Sequence, residues 1–389
     1  MTITSRSRLI GVGLISVGWM GRLHTRSYKS IPERFPELGV IPRLVIAADA
    51  VDEAAQQAVD QLGYERSTTD YRDVVADPEV DVVSICAPNF LHKEFALAAA
   101  AAGKPFWIEK PMGRNLAESR EIAEAAASAG LVTAVGFNYR NAPAIAHARQ
   151  MIASGELGSI TNVRTSFVAD YASHPAGALT WRFERGRGGL GVLGDLLSHG
   201  FDLATYLVGE IDEVSAATGT YITERAKPTA ANASHFSTSA GGEMLPVENE
   251  DVAVILAKFA SGAIGTFESS RIAIGPRAEY AIEVYGTKGS LRWDFQRMNE
   301  LQVSLRSGSN YGYTDVYMSP GHGDFARFQP GGGTSMGFDD LKAIEAALFI
   351  ESVVTGEQKA PSVHDGLAAA KVADAAERSA KTQRWEWTR

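Results

Sequence analysis

Between residues 8 and 136 the chain alternates two kinds of segment, and this alternation constrains the fold more than any other feature. Runs of apolar and β-branched residues, "RLIGVGLI", "RLVIAAD", "VDVVSICAP", "PFWIEKP" and "LVTAVGFN", are separated by Ala-rich stretches over 20–29, 52–62, 91–102 and 115–129 that carry helical spacing. Strands that lack polar alternation and are joined through helices belong to a parallel sheet covered on both faces. The segment 115–129 is punctuated as a helix, with Asn115 as N-cap, Glu118 three residues on and Gly130 just past the end. The prolines of "SIPERFPELGVIP", between the first helix and the second strand, read as a loop.

After a helical segment at 141–154 the pattern changes. A strand over 158–171 and a helix over 194–208 precede "DVAVILAKF", "AIGTFESSRI", "AEYAIEVYG", "GSLRWDF" and "ELQVSLR", joined by short Gly-centred turns. Such a succession forms an antiparallel sheet. The chain of 389 residues is longer than one hydrophobic core supports, so the expected fold is α/β. A doubly wound Rossmann domain spans 1–137, and an α+β domain with a large, mainly antiparallel open sheet spans 138–389. The stretches 222–250 and 307–337 read as long loops, candidates for a lid or an interface.

Composition narrows the classes of function. A formal charge of −9 with no basic cluster argues against nucleic acid as partner. The single cysteine, Cys86, sits in an apolar run as a core residue, which excludes a disulfide framework and fits a reducing cytoplasm. Arg6 and Arg8 before "LIGVGLISVGWMG" imitate the start of a secretory signal, but no A-x-A site follows. No run of about 18 apolar residues suits a membrane span.

Three motifs carry chemistry. The first strand turns into a helix through "LISVGWMGRLH", which places Ser16, Gly18 and Gly21 where the dinucleotide fingerprint has three glycines. Asp49, ending the second strand, stands where a carboxylate accepts the adenosine ribose hydroxyls and repels a 2′-phosphate, so NAD is expected over NADP. "FWIEKPMGRN" leaves Lys110 at the carboxyl end of the fifth strand, with Pro111 restricting it to extended backbone. "GDLLSHGFDLATYL" spaces Asp195, His199, Asp202 and Tyr206 at i, i+4, i+7 and i+11, on one face of a helix. No H-E-x-x-H or comparable ligand set points to a metal.

Together the degenerate Gly fingerprint, the E-K-P motif some ninety residues later and the G-D-x-x-x-H-x-x-D helix resemble the Gfo/Idh/MocA family of NAD(P)-dependent sugar and cyclitol oxidoreductases, over nearly the whole chain. "FNYRNAPA" and "LTWRFERGRGGLGVLGD" look most like its levoglucosan and inositol dehydrogenase branch. The resemblance implies Lys110, Asp195 and His199 as the catalytic set. It implies Ser16, Gly18, Trp19, Met20, Gly21 and Asp49 around the cofactor's phosphates and adenosine ribose, with Pro88, Asn89, His92, Glu109 and Asn138 nearer the nicotinamide end. Tyr139, Asp170 and Arg182 are implied on the substrate side, and a homodimer or homotetramer through the second domain's sheet is the family-like assembly.

Charge supplies the mechanism. Hydride leaves a secondary alcohol for NAD while His199 takes the proton, and the Lys110 ammonium stabilises the growing alkoxide. Asp195 accepts a substrate hydroxyl or orients the imidazole, and the vicinal hydroxyls of a sugar or polyol suit Asp170, Asp195 and Arg182. Two rivals stay open: an NAD-dependent glycosidase or lyase that oxidises its sugar only transiently, and a non-catalytic NAD-binding regulator of the same fold.

Overall fold

The computed structural model describes residues 7–228, 237–239, 242–306 and 311–389. Two compact units make up the chain. The first comprises 1–113, 117–141 and 324–367, the second 114–116, 142–323 and 368–389. The chain therefore returns to its first unit late, and a single cut after 137 leaves Asp324–Leu367 on the wrong side of the boundary.

In the first unit six strands form a sheet in which every pairing is parallel: β1 Arg8–Ile15, β2 Val40–Ala48, β3 Arg66–Thr68, β4 Val82–Ile85, β5 Phe106–Ile108 and β6 Thr133–Val135. Their order is β3-β2-β1-β4-β5-β6. The sequence progresses outward from β1 through β2 to β3, then restarts beside β1 with β4, so the strand order reverses there. Open α/β sheets bind ligands outside the carboxyl ends of their strands at that reversal. The segments after β1, β2, β4, β5 and β6 all end at this edge.

The first helix is longer than the sequence pattern implies. It runs Trp19–Arg34 with Pro32 in its last turn, and a 3₁₀ turn at Pro36–Leu38 follows, so the supposed proline loop is half helical. Helix Phe338–Thr355 packs on Trp19–Arg34. Leu341, Ala343, Ile344, Ala347, Phe349 and Ile350 are buried around its whole circumference, the signature of a helix enclosed by its neighbours.

The second unit is built on nine strands in the order β16-β15-β14-β13-β7-β12-β11-β8-β17. These are β7 Ile160–Ala169, β8 Ile211–Gly219, β11 Val252–Phe259, β12 Ile264–Ser270, β13 Ala278–Gly286, β14 Gly289–Asp294, β15 Glu300–Leu305, β16 Thr314–Tyr317 and β17 Glu386–Trp387. The sheet is mixed rather than purely antiparallel, because β12 lies parallel to β7. Burial alternates strictly along β11 and β12. Ile255, Phe259, Phe267, Ile282 and Val284 are enclosed, with helices Pro143–Ala153 and Leu197–Val208 against the sheet, while Val254, Leu256 and Ile264 are exposed.

The long loops are less irregular than expected. Strands β9 Glu224–Ala226 and β10 Met244–Pro246 pair within 222–250, and 307–337 contains β16 and a short helix Phe325–Phe328. Within those loops 229–236, 240–241 and 307–310 lie outside the described residues, as does Arg6.

Candidate active site

In the first unit the turn after β1 is held to the end of β2. Ser16 adopts φ +78°, a left-handed conformation usually left to glycine, and its N–H donates to Ala48 O at 2.8 Å. The Asp49 carboxylate accepts from Val17 N–H at 2.8 Å and from Val51 N–H at 3.0 Å. Asp49 therefore braces the turn.

Gly18 precedes helix Trp19–Arg34, and no side chain caps that helix. A Cβ built on Gly18 meets nothing within 4 Å, so there is open space at the start of the helix. On Gly21 a Cβ would collide with the Ser16 carbonyl oxygen, so this glycine permits the close approach of helix to strand. An uncapped N-terminus with room in front of it suits a pyrophosphate. Trp19 is exposed and stacks on Phe338, with ring centroids 6.1 Å apart, and Met20 is half-buried.

Beyond β4, Pro88 leads into helix Asn89–Ala101. The resemblance places His92 near the nicotinamide ribose, yet its ring is buried between two backbone carbonyls, Nε2 2.7 Å from Ala87 O and Nδ1 2.9 Å from Pro111 O. Burial lowers its pKa, against the pull of those carbonyls. His92 thus ties the loop after β4 to the E-K-P segment. The Lys110–Pro111 peptide is cis, and Lys110 is half-buried.

Glu109 also turns inward. Its carboxylate accepts from Lys342 Nζ at 2.5 Å and lies 3.0 Å from His24 Nε2. Gly136 makes room for it, since a Cβ there would come within 2.6 Å of Oε2. Asn138 is buried, and its side-chain Nδ2 has no hydrogen-bond partner within the protein. A buried donor of this kind is costly unless a ligand satisfies it. Together with the open Gly18 it shows that these residues fit a dinucleotide. Neighbouring Tyr139 packs beside Phe338 at 6.1 Å.

In the second unit the Asp-His stripe is interrupted. Asp195 ends a short helix Val192–Asp195, Leu196 breaks the regular bonding, and His199 lies in the first turn of Leu197–Val208. Tyr171 Oη donates to Asp195 Oδ2 at 2.8 Å. Burial, and then the Asp195 charge, push the Tyr171 phenol well above its ordinary range, so it stays a donor. His199 is buried, its carbonyl accepts from Tyr280 Oη at 2.8 Å, and its ring packs beside Phe167 at 6.1 Å.

Asp170, adjacent to Tyr171, and Arg182 are half-buried. The Arg182 guanidinium lies 4.3 Å over Trp181, and its carbonyl accepts from Asn249 Nδ2 at 2.8 Å. Asn249 Oδ1 in turn accepts from Arg271, which is paired with Asp251 at 2.8 Å in the interior. Tyr206, at the far end of the stripe, lies beneath Arg149, 3.7 Å from guanidinium carbon to ring centroid.

Tyr171, His24, Lys342 and Glu345 escape a motif search. Lys342 and Glu345 did leave a signal, a Lys/Glu pair at i, i+3 inside the apolar run "LKAIEAALFI".

A doubly wound parallel sheet with an uncapped helix N-terminus at its β1 turn, in a chain whose second unit carries Asp195 and the buried His199, fits a nucleotide-dependent oxidoreductase. The chain belongs to the Gfo/Idh/MocA family. Residues 10–137 match the oxidoreductase family NAD-binding Rossmann fold and 145–292 the GFO/IDH/MocA C-terminal domain. It is 36% identical over 380 residues to the levoglucosan dehydrogenase of Pseudarthrobacter phenanthrenivorans, covering 97% of each chain. To the myo-inositol 2-dehydrogenase of Thermotoga maritima it is 26% identical, over 96% of this chain and 97% of the relative. A solved structure of levoglucosan dehydrogenase in complex with NADH and levoglucosan superposes with a TM-score of 0.92 at 35% identity, over 98% of this chain and 100% of that one. The chain is thus an NAD-dependent oxidoreductase. No helix among the described residues is long and apolar enough to cross a membrane.

Proposed function

We propose that this protein is an NAD-dependent dehydrogenase of an anhydrosugar of the levoglucosan type, oxidising one secondary hydroxyl. The observation that carries this reading is end-to-end likeness: 36% identity across 97% of both chains, with Lys110, Asp195 and His199 all present. NAD, when bound, accepts the hydride. Ser16, Gly18, Trp19, Met20, Gly21 and Asp49 hold its phosphates and adenosine ribose, and Pro88, Asn89 and the unpartnered amide of Asn138 serve its nicotinamide end. His92 and Glu109 act from behind, through the backbone they anchor.

His199 takes the alcohol proton, as a neutral imidazole suits near neutral pH. Lys110 presents fixed positive charge to the developing alkoxide. Asp195, oriented by the Tyr171 hydroxyl, accepts a substrate hydroxyl, and Tyr139, Asp170 and Arg182 bind the others. Assembly belongs to the nine-stranded sheet of the second unit, whose exposed Val254, Leu256 and Ile264 pack against another copy in a homodimer or homotetramer. The single cysteine, Cys86, leaves no internal disulfide to form, which suits the reducing cytoplasm.

The test is NADH formation at 340 nm with levoglucosan, myo-inositol and D-glucose, each with NAD and with NADP. Levoglucosan with NAD should give the highest kcat/KM by at least about tenfold, the size of difference that two well-placed hydroxyl contacts produce. A preference for myo-inositol would move the substrate to a cyclitol. Absence of net NADH with every compound would overturn the dehydrogenase reading.

A further inference from the structure

Behind the E-K-P segment lies a chain of buried polar groups that no step of the reaction above uses. Lys342 Nζ donates to Glu109 Oε1 at 2.5 Å and to Glu345 Oε2 at 2.8 Å. His24 Nε2 lies 3.0 Å from Glu109 Oε1, His24 Nδ1 3.2 Å from Ser84 Oγ, and Ser84 Oγ 3.0 Å from Tyr28 Oη. His24 stacks on Trp107 at 3.4 Å with the planes 13° apart, and Lys342 Nζ sits 5.3 Å from the same ring centroid. Every one of these side chains is buried.

Donor arithmetic fixes the direction of the chain. Glu109 can only accept, so it takes a proton from Lys342 and another from His24 Nε2. His24 Nδ1 is then the acceptor of the Ser84 hydroxyl, whose oxygen accepts from Tyr28. A neutral imidazole satisfies all of these contacts at once, in keeping with burial lowering its pKa to about 4. The cluster then holds two carboxylates and one ammonium.

Ionic groups buried in this way are weak devices for stability. Removing charges from water costs several kcal/mol per ion, and well-packed apolar replacements are often neutral or stabilising. What such a cluster does well is fix geometry, because each member has one arrangement that satisfies it. The geometry it fixes is that of Glu109, clamped from two helices, Trp19–Arg34 through His24 and Phe338–Thr355 through Lys342. The next residue along the chain is Lys110.

We propose that Lys342 is a positioning residue for the hydride-transfer reaction: by clamping the Glu109 carboxylate together with His24, it holds Lys110 in place from the buried side of the strand end. The proposal rests on the assignment of Lys110 to the reacting oxygen. It explains why a helix more than two hundred residues distant in sequence carries a lysine into the interior behind β5.

The test is a set of variants: Lys342→Met, Lys342→Met/Glu345→Gln, Lys110→Ala, and Lys110→Ala/Lys342→Met. Each is assayed for NADH affinity by fluorescence, thermal midpoint, and kcat and KM on the best substrate of the panel above. Methionine matches the lysine stem in length, and the double variant also removes the second buried carboxylate charge, that of Glu345, should Lys342→Met alone fail to bind NADH. In whichever of the two binds NADH within about threefold of wild type, kcat should fall about 10- to 100-fold with KM within about threefold, the cost of a small misplacement of a reacting group. In the Lys110→Ala background the same change should cost less than about threefold, since Lys342 acts only through Lys110. A folded variant with kcat within twofold of wild type, or losses that multiply in the combined variant, would overturn the proposal. Near-normal turnover of Lys110→Ala would instead overturn the underlying assignment of Lys110.

Discussion

Replacing Asp49 with serine separates two duties of one carboxylate. Its Oδ2 accepts from Val17 N–H at 2.8 Å in a partly buried setting, and its Oδ1 accepts from Val51 N–H at 3.0 Å in an exposed one. A hydrogen bond to a charged acceptor contributes about 1.5–3 kcal/mol when shielded and far less where water replaces it. The Val17 bond therefore accounts for most of an expected loss of about 2 kcal/mol in the stability of the turn. The adenosine ribose loses its charged acceptor as well, a further effect of about 2–3 kcal/mol, or roughly 30- to 150-fold in NAD affinity.

For NADP the second effect reverses, because the repulsion against a 2′-phosphate disappears with the carboxylate. The first effect remains. Asp49→Ser should thus lose NAD efficiency by one to two orders of magnitude while gaining little with NADP, and its thermal midpoint should drop even without cofactor. The assay is kcat/KM with both cofactors beside a thermal melt of the apo protein. An unchanged apo midpoint would refute the bracing role, and a wild-type preference for NADP would refute the ribose role.

Lys110→Ala should lower kcat about 10²–10³-fold with NADH affinity nearly unchanged, by comparison with loss of one oxyanion donor, and stopped-flow single turnovers check it. Tyr171→Phe removes the proton donated to Asp195 Oδ2, and kcat/KM should fall about tenfold or more while the melt barely moves. Gly21→Ala drives a methyl group into the Ser16 carbonyl, and a loss of about 1–3 kcal/mol in denaturant unfolding together with weaker NADH binding is expected. Acid stability should decline in two stages. From pH 6.5 down to about 4 the unfolded chain protonates His24 while the folded protein does not. Below about 4.5 the unfolded chain also protonates Glu109, whose carboxylate Lys342 and His24 hold well below the usual range in the folded protein. Urea midpoints across pH should show both stages, and His24→Asn should remove the upper one.

Much of this was legible in the sequence because the physics was local. Apolar runs of strand length separated by Ala-rich helices could form only a covered parallel sheet, and the turn residues Gly18 and Gly21 declared their reasons, open space and close packing, which the structure displays one at each position. Elements defined by distant partners were not legible. Nothing within "FDDLKAIEAALFIESVVT" indicates that it packs on Trp19–Arg34, and nothing in "AIGTFESSRI" says that its neighbour is the parallel β7. Leu196 breaks a helix that spacing alone draws as continuous, and β17 adds a strand at the sheet edge from two residues too few to recognise.

The same division runs through the candidate site. The residues proposed to meet the cofactor, Gly18, Asp49 and Asn138, sit at strand ends and helix starts, where a motif reveals them. Glu109 and His92 belong to the same motifs by sequence, yet their side chains turn away from that edge, one to Lys342 and His24, the other to the carbonyls of Ala87 and Pro111. A pleated strand end sends successive side chains to opposite faces. In E-K-P the anchoring residue is Glu109, and its partners are what reveal it. Those partners, Lys342 at the far end of the chain and His24 in the first helix, are joined to Glu109 by folding alone, so the anchoring half of the motif becomes readable only once the helix that carries Lys342 has been placed.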